Sequence, residues 1–151
     1  MPQSTNSLAA TFRILRILYF TFFVSVPVYF VIGQVLGSRT APAAGLSLIR
    51  NMFLLGGATT AVMALAFRYR MMPAWPPAPI ESGPAGEDPS PVLGRVRAAY
   101  VTGFALAESV ALLGLVLCLL GGALNETLPF FAVAVVLFVL LFPRLPDTYV
   151  G

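Results

Sequence analysis

Long apolar runs alternate with short polar breaks along this chain. The runs cover residues 14–36, 48–67, 97–120 and 128–142. An apolar run of about 20 residues is long enough to cross the roughly 30 Å hydrocarbon core of a bilayer as an α-helix. The pattern predicts an all-α integral membrane protein, with four spans packed as a four-helix bundle. The fourth run is the shortest, so the bilayer would thin locally or that helix would tilt little. Pro27 falls in the middle of the first run and predicts a kink there, because it leaves the carbonyl of Phe23 without its usual donor. Gly56-Gly57 and Thr59-Thr60 in the second run are small or hydroxylated and suit close helix packing.

The breaks set the domain organisation. Residues 1–13 form a short polar lead. Residues 14–70 form a first helical pair, turning through glycine, proline and serine at 37–47. Residues 71–95 are a proline-rich connector holding Pro73, Pro76, Pro77, Pro79, Pro84, Pro89 and Pro91 with Glu81, Glu87 and Asp88. That composition predicts an extended linker, or a docking segment for an SH3-like partner. Trp75 within it reads as an interface anchor. Residues 96–142 form a second pair, with a turn expected from Gly121-Gly122 through Thr127. Pro143, Arg144 and Pro146 end the last span, and 143–151 is a tail. Asn125-Glu126-Thr127 also matches a glycosylation sequon. The first run is too long for a signal-peptide core of roughly 7–15 residues, so an uncleaved span is expected.

Composition narrows the function classes. Of 151 residues, 58% are hydrophobic and 10% charged, and the mean hydropathy is +0.88. A soluble domain of this size cannot bury that much apolar surface. The net charge is +3 and every basic residue is arginine. The arginines flank the apolar runs rather than forming a basic face, which argues against nucleic acid as a partner. There is no histidine, no lysine and a single cysteine, Cys118. That excludes a disulfide within the chain, a Ser-Lys pair and any nucleophile–histidine pair, and argues against a Cys/His metal site. No phosphate-binding glycine loop is present. No cofactor, no metal and no enzymatic activity are expected of the chain on its own. With four spans, one side of the membrane receives Arg13, Arg16, Arg68, Arg70, Arg95, Arg97 and Arg144, and the other only Arg39 and Arg50. The positive-inside rule then puts both termini and the connector in the cytoplasm, in a bacterial inner (plasma) membrane.

Runs one and three align at an offset of 81. Arg16 meets Arg97, Tyr19 meets Tyr100, Thr21 meets Thr102, Phe23 meets Phe104 and Gly33 meets Gly114. Either the chain is duplicated as two parallel helical hairpins related by an axis along the membrane normal, or each helix independently acquired an arginine and a tyrosine anchor. The aromatic residues of the first run (Tyr19, Phe20, Phe22, Phe23, Tyr29, Phe30) read as lipid-facing, or as the lining of a lipid or quinone groove.

Glu108 is the one acidic residue inside a span. It lies about 16 Å along its helix from Arg97, near the membrane centre. An ionised carboxylate there costs several kcal/mol unless it is paired or hydrated, roughly 3 kcal/mol on insertion scales. No lysine or arginine lies at its depth, so a protonated side chain that donates a hydrogen bond is expected. Ser109, Ser25, Tyr29, Thr59 and Thr60 are the candidate partners, and the sequence does not choose among them. Residues 104–119, FALAESVALLGLVLCL, resemble the glutamate-bearing helix of the rotor-ring c subunit of rotary ATP synthases and their vacuolar relatives. The resemblance rests on Ala105, Leu106, Ala107, Glu108, Gly114, Leu115 and Val116. It implies reversible protonation or Na⁺ binding at Glu108, helped by the neighbouring Ser109, and assembly into an oligomer. Two functions follow as expectations. One is a proton- or cation-linked membrane component working through Glu108, as a homo-oligomer or within a larger membrane complex. The other is a structural, accessory or assembly subunit in which Glu108 only makes an interhelical hydrogen bond.

Overall fold

A computed structural model describes residues 3–41, 43–71 and 90–143. The heart of the proline-rich connector, with Trp75, and the tail beyond Pro143 lie outside these residues. Four helices follow one another: α1 (Gln3–Gly37), α2 (Leu46–Met71), α3 (Ser90–Leu119) and α4 (Leu124–Leu140). The expected all-α bundle is what the chain forms, and no strand occurs among the described residues. Three segments are long and apolar enough to cross a membrane: Ala10–Gly37, Leu46–Arg70 and Arg97–Leu119. The fourth helix has 17 residues, about 25 Å of rise.

The helix ends differ from the apolar runs for local reasons. α1 continues through Pro27 to Gly37, so the proline does not end it. α3 starts at Ser90, inside the expected connector. Pro91 then sits in the first turn, where its missing N–H has no partner to lose. Gly121 ends α3 with φ 81°, a conformation that favours glycine. The Gly122 N–H closes the cap by donating to the Leu117 carbonyl at 3.0 Å. α4 begins at Leu124, several residues before the apolar run. Glu126 explains this: its Oε2 accepts the Ala123 N–H at 3.2 Å, half of a capping box. Thr127 is fully buried and donates to the Leu124 carbonyl. The threonine of the Asn125-Glu126-Thr127 match therefore belongs to the core of a helix rather than to an open loop.

Contacts fix the directions of the helices. Ser25 and Tyr29 meet Glu108, and Gly37 meets Cys118 further along. α1 and α3 therefore run parallel, in nearly the register of the 81-residue offset. Gly103 lies against Leu141, and Gly114 against Phe130 and Phe131, so α4 runs antiparallel to α3. α3 is the hub that packs on the other three helices, whereas α1 and α2 do not pack on each other among the described residues. Of its apolar window 44% is buried, against 17% for α1 and 11% for α2. The α1–α2 loop is tied to the end of α3, where the Ala43 N–H donates to the Leu120 carbonyl at 3.1 Å. This leaves the first two helices on separate faces of α3. Two equivalent hairpins would repeat the α3–α4 contact between α1 and α2. The packing does not do so, and the offset match extends to register but not to architecture.

The outer faces are apolar, as lipid requires. Ile17, Val24 and Val31 of α1 are exposed, as are Leu48, Leu55 and Val62 of α2. The aromatic residues of α1, however, mostly point inward. Tyr19 is buried, with ring centroids 5.6 Å from Phe104, 5.9 Å from Phe138 and 5.1 Å from Phe142. Phe22 and Phe23 join this cluster, and Phe30 packs edge-on against Phe131. Only Phe20 is largely exposed. The lipid-facing expectation fails because aliphatic residues fill α1's outer face and the rings supply the core.

Close packing, not the hydrophobic effect, drives helix association in lipid. Gly33 and Gly37, one turn apart, let α1 approach α3. A Cβ on Gly33 would stand 2.9 Å from the Cys118 Cβ, and one on Gly37 would overlap the Cys118 carbonyl. Gly37→Ala should therefore destabilise the bundle by about 1–3 kcal/mol, because a backbone carbonyl cannot move aside like a side-chain tip. Gly56→Ala, whose nearest neighbour is 4.0 Å away, should be neutral or stabilising by up to about 1 kcal/mol. Unfolding in mixed detergent micelles measures both. Equal effects would contradict the close α1–α3 approach.

Candidate functional site

The Glu108 side chain leaves α3 eleven residues from each end of the Arg97–Leu119 span. It is half-buried and directed at α1. Two hydroxyls of α1, one helical turn apart, converge on a single carboxyl oxygen. Tyr29 Oη donates to Glu108 Oε1 at 2.7 Å and Ser25 Oγ to the same oxygen at 3.0 Å. Residues i and i+4 share a helix face, so Ser25 and Tyr29 act as a pair. Pro27 sits between them in sequence but points away and is exposed. Among the described residues, no hydrogen bond reaches Oε2.

Ser25 has a second neighbour. Its Oγ lies 2.6 Å from the Phe22 carbonyl, closer than it lies to Glu108. A hydroxyl carries one hydrogen and two lone pairs. It can give that hydrogen to the carbonyl or to the carboxylate, but not to both. Next to the site on one side stands the aromatic cluster, with Phe104 one turn along α3 from Glu108 and fully buried. Towards the other side, Gln34 Nε2 donates to Cys118 Sγ at 3.7 Å, a weak polar contact in the same seam.

The other expected partners stay away. Ser109 is exposed, and its hydroxyl donates to the Ala105 carbonyl of its own helix at 2.8 Å. Neighbouring helix residues point about 100° apart, and among the described residues Ser109 makes no hydrogen bond to Glu108. Thr59 and Thr60 likewise donate to the Leu55 and Gly56 carbonyls, each at 2.8 Å. These internal bonds satisfy hydroxyls in an apolar setting without an interhelical partner. The sequence already held the signal for Ser25 and Tyr29, namely two hydroxyls four residues apart at the depth that the 81-residue offset assigns to Glu108.

A second polar contact closes the loop end of the bundle. Arg50 Nη1 of α2 lies 2.7 Å from Glu126 Oε1 at the start of α4. Glu126 thus caps its own helix with one oxygen and holds α2 with the other. Both side chains are partly exposed, so the pair contributes about 1 kcal/mol at most.

No family model matches this chain, and no curated protein or solved structure is significantly similar to it.

Tyr29→Phe should lower stability by about 0.5–2 kcal/mol, the range of one interhelical hydrogen bond in lipid. The same substitution in a Glu108→Leu background should cost about 1 kcal/mol less, because the carboxyl no longer needs the donor. Unfolding of the four proteins in this double-mutant cycle gives the coupling. A cost that is the same in both backgrounds would break the Tyr29–Glu108 assignment.

Proposed function

We propose that this small integral membrane protein is a proton-linked membrane component in which Glu108 takes up and releases the proton. The single observation that carries the reading is the placement of Ser25 between two acceptors. When Glu108 is protonated, Ser25 gives its hydrogen to the Phe22 carbonyl and accepts the carboxyl proton. When that proton leaves to an outside base, Ser25 turns its hydrogen to the carboxylate and Tyr29 keeps donating. Both protonation states then have hydrogen-bond partners without a nearby cation, which lowers the cost of holding the charge at mid-membrane. The half-exposed carboxyl and its second oxygen, without a partner among the described residues, suit exchange with a group outside the chain. That is the support for operation as a homo-oligomer or within a larger complex.

The likeness of residues 104–119 to the rotor-ring helix adds support for this chemistry at Glu108. It does not extend to the rotary context. In that family the glutamate helix is the second of its hairpin, whereas α3 opens the second pair here. The arginine distribution supports an orientation with the termini and the connector in the cytoplasm of a bacterial cell. A second reading rests on the glycines of the same seam. Gly33 and Gly37 already hold α1 against α3, and Glu108 would then be a hydrogen-bonded lock that sets their register.

Carbodiimide labelling of the protein in membranes, read by mass spectrometry across pH, separates the two. Under the proposal Glu108 is modified selectively and labelling falls as pH rises, because only the protonated acid reacts well. Protection by Na⁺ at constant pH would replace the proton with a cation as the bound species. Absence of labelling at every pH, with Glu108→Gln folding and assembling normally, would leave the lock.

A further inference from the structure

The two ends of the bundle treat their arginines differently. At the loop end Arg50 pairs with Glu126, which leaves only the exposed Arg39 without an ion pair among the described residues. At the opposite end, α1 brings Arg13 and Arg16, α2 brings Arg68 and Arg70, and α3 brings Arg97. None of these five makes an ion pair among the described residues. Arg13, Arg16, Arg70 and Arg97 are exposed and Arg68 is half-buried.

Helix register brings these side chains to one level. α1 and α3 are parallel neighbours, with Gly37 against Cys118, which puts Arg16 at the height of Arg97. α2 runs antiparallel to α3, with Gly57 against Leu113 and Arg50 paired with Glu126 just past the end of α3, which puts Arg68 and Arg70 within about a turn of Tyr100. Tyr69, between the two α2 arginines, is 78% exposed, as suits an aromatic ring at a headgroup layer. Three helices thus present guanidinium groups at the level where an apolar helix leaves the hydrocarbon.

We propose that this arginine rim binds the headgroup phosphates of anionic phospholipids in the surrounding bilayer. Charge complementarity carries the assignment. The rim's cations have no partners of their own among the described residues, and the guanidinium fork matches phosphate oxygens in pairs. Zwitterionic lipids offer the same phosphate with a compensating amine, so the rim prefers lipids of net negative charge. The proposal does not depend on the chemistry at Glu108.

The test is native mass spectrometry of the full-length protein in neutral detergent, with phosphatidylglycerol and phosphatidylcholine added in equal amounts. Phosphatidylglycerol adducts should exceed phosphatidylcholine adducts by roughly fivefold or more. The combined variant Arg16→Gln/Arg97→Gln should bring that ratio towards one, with helix content unchanged by circular dichroism. Arg39→Gln, at the other end, should keep the preference. Excess inorganic phosphate should not displace the lipid. Equal binding of the two lipids would overturn the proposal. So would an unchanged ratio in the double variant, an equal loss in Arg39→Gln, or displacement by free phosphate, which would mark a site for soluble anions.

Discussion

The contact between Glu108 and the two hydroxyls of α1 constrains the bundle more than any other. A carboxyl at the centre of a span cannot face hydrocarbon alone without a penalty of several kcal/mol, about 3 on insertion scales. Whichever helix lies beside it must bring donors to that depth. Among the described residues, Ser25 and Tyr29 bring them to Glu108. Their spacing of four residues leaves one rotation of α1 about its axis and one height along α3. Gly33 and Gly37 supply the remaining freedom, which is distance. With side chains there the helices would stand apart and the 2.7 Å bond could not form. The polar contact selects the register and the glycines make it reachable.

That register propagates to the rest of the structure. Once α1 lies along α3, Tyr19 meets Phe104, and α4 completes the cluster with Phe138 and Phe142. Aromatic pairs of this kind add about 0.5–1.5 kcal/mol each beyond simple packing. α2 then has only the other side of α3 and the flank of α4 to pack on. It does so through Gly57, against Phe130 and Leu113, and through the Arg50–Glu126 pair at its start. α3 is the hub because it carries both the carboxyl that demands a neighbour and the glycines, Gly103 and Gly114, that admit α4.

What was legible in the sequence follows the same division. Helix number, helical class and the depth of Glu108 within its apolar run rest on hydropathy and helix rise. Both are properties of single segments, and they needed no knowledge of neighbours. The direction of the Ser109 side chain is not legible from its adjacency to Glu108, because a helix turns neighbouring residues about 100° apart. The rings of α1 were misplaced because Phe and Val are equally at home in lipid. Only packing decides which of them turns inward. The start of α4 was missed because Asn125, Glu126 and Thr127 look like a turn. Glu126 makes them a helix by accepting the Ala123 N–H, a role usually announced by serine or threonine at the cap and here carried without one. The match at offset 81 returns as the register of α1 on α3 but not as repeated contacts, since α1 and α2 do not pack on each other among the described residues. Equal heights on parallel helices follow from shared membrane boundaries, whereas shared packing would have needed equivalent faces.

The two polar features of the bundle also differ in what they leave unsatisfied. At the loop end Glu126 divides its oxygens between a backbone N–H and Arg50, so both groups are complete within the chain. At mid-membrane Glu108 places both of its hydrogen bonds on one oxygen and, among the described residues, none on the other. A purely architectural carboxyl would gain from satisfying both, since an unpaired polar group in an apolar setting costs more than a formed bond returns. The asymmetry also fits Ser25, whose single hydrogen has a choice of two acceptors. Under the proposed proton linkage that choice has a use, because the hydrogen bond reverses direction whenever the proton comes or goes.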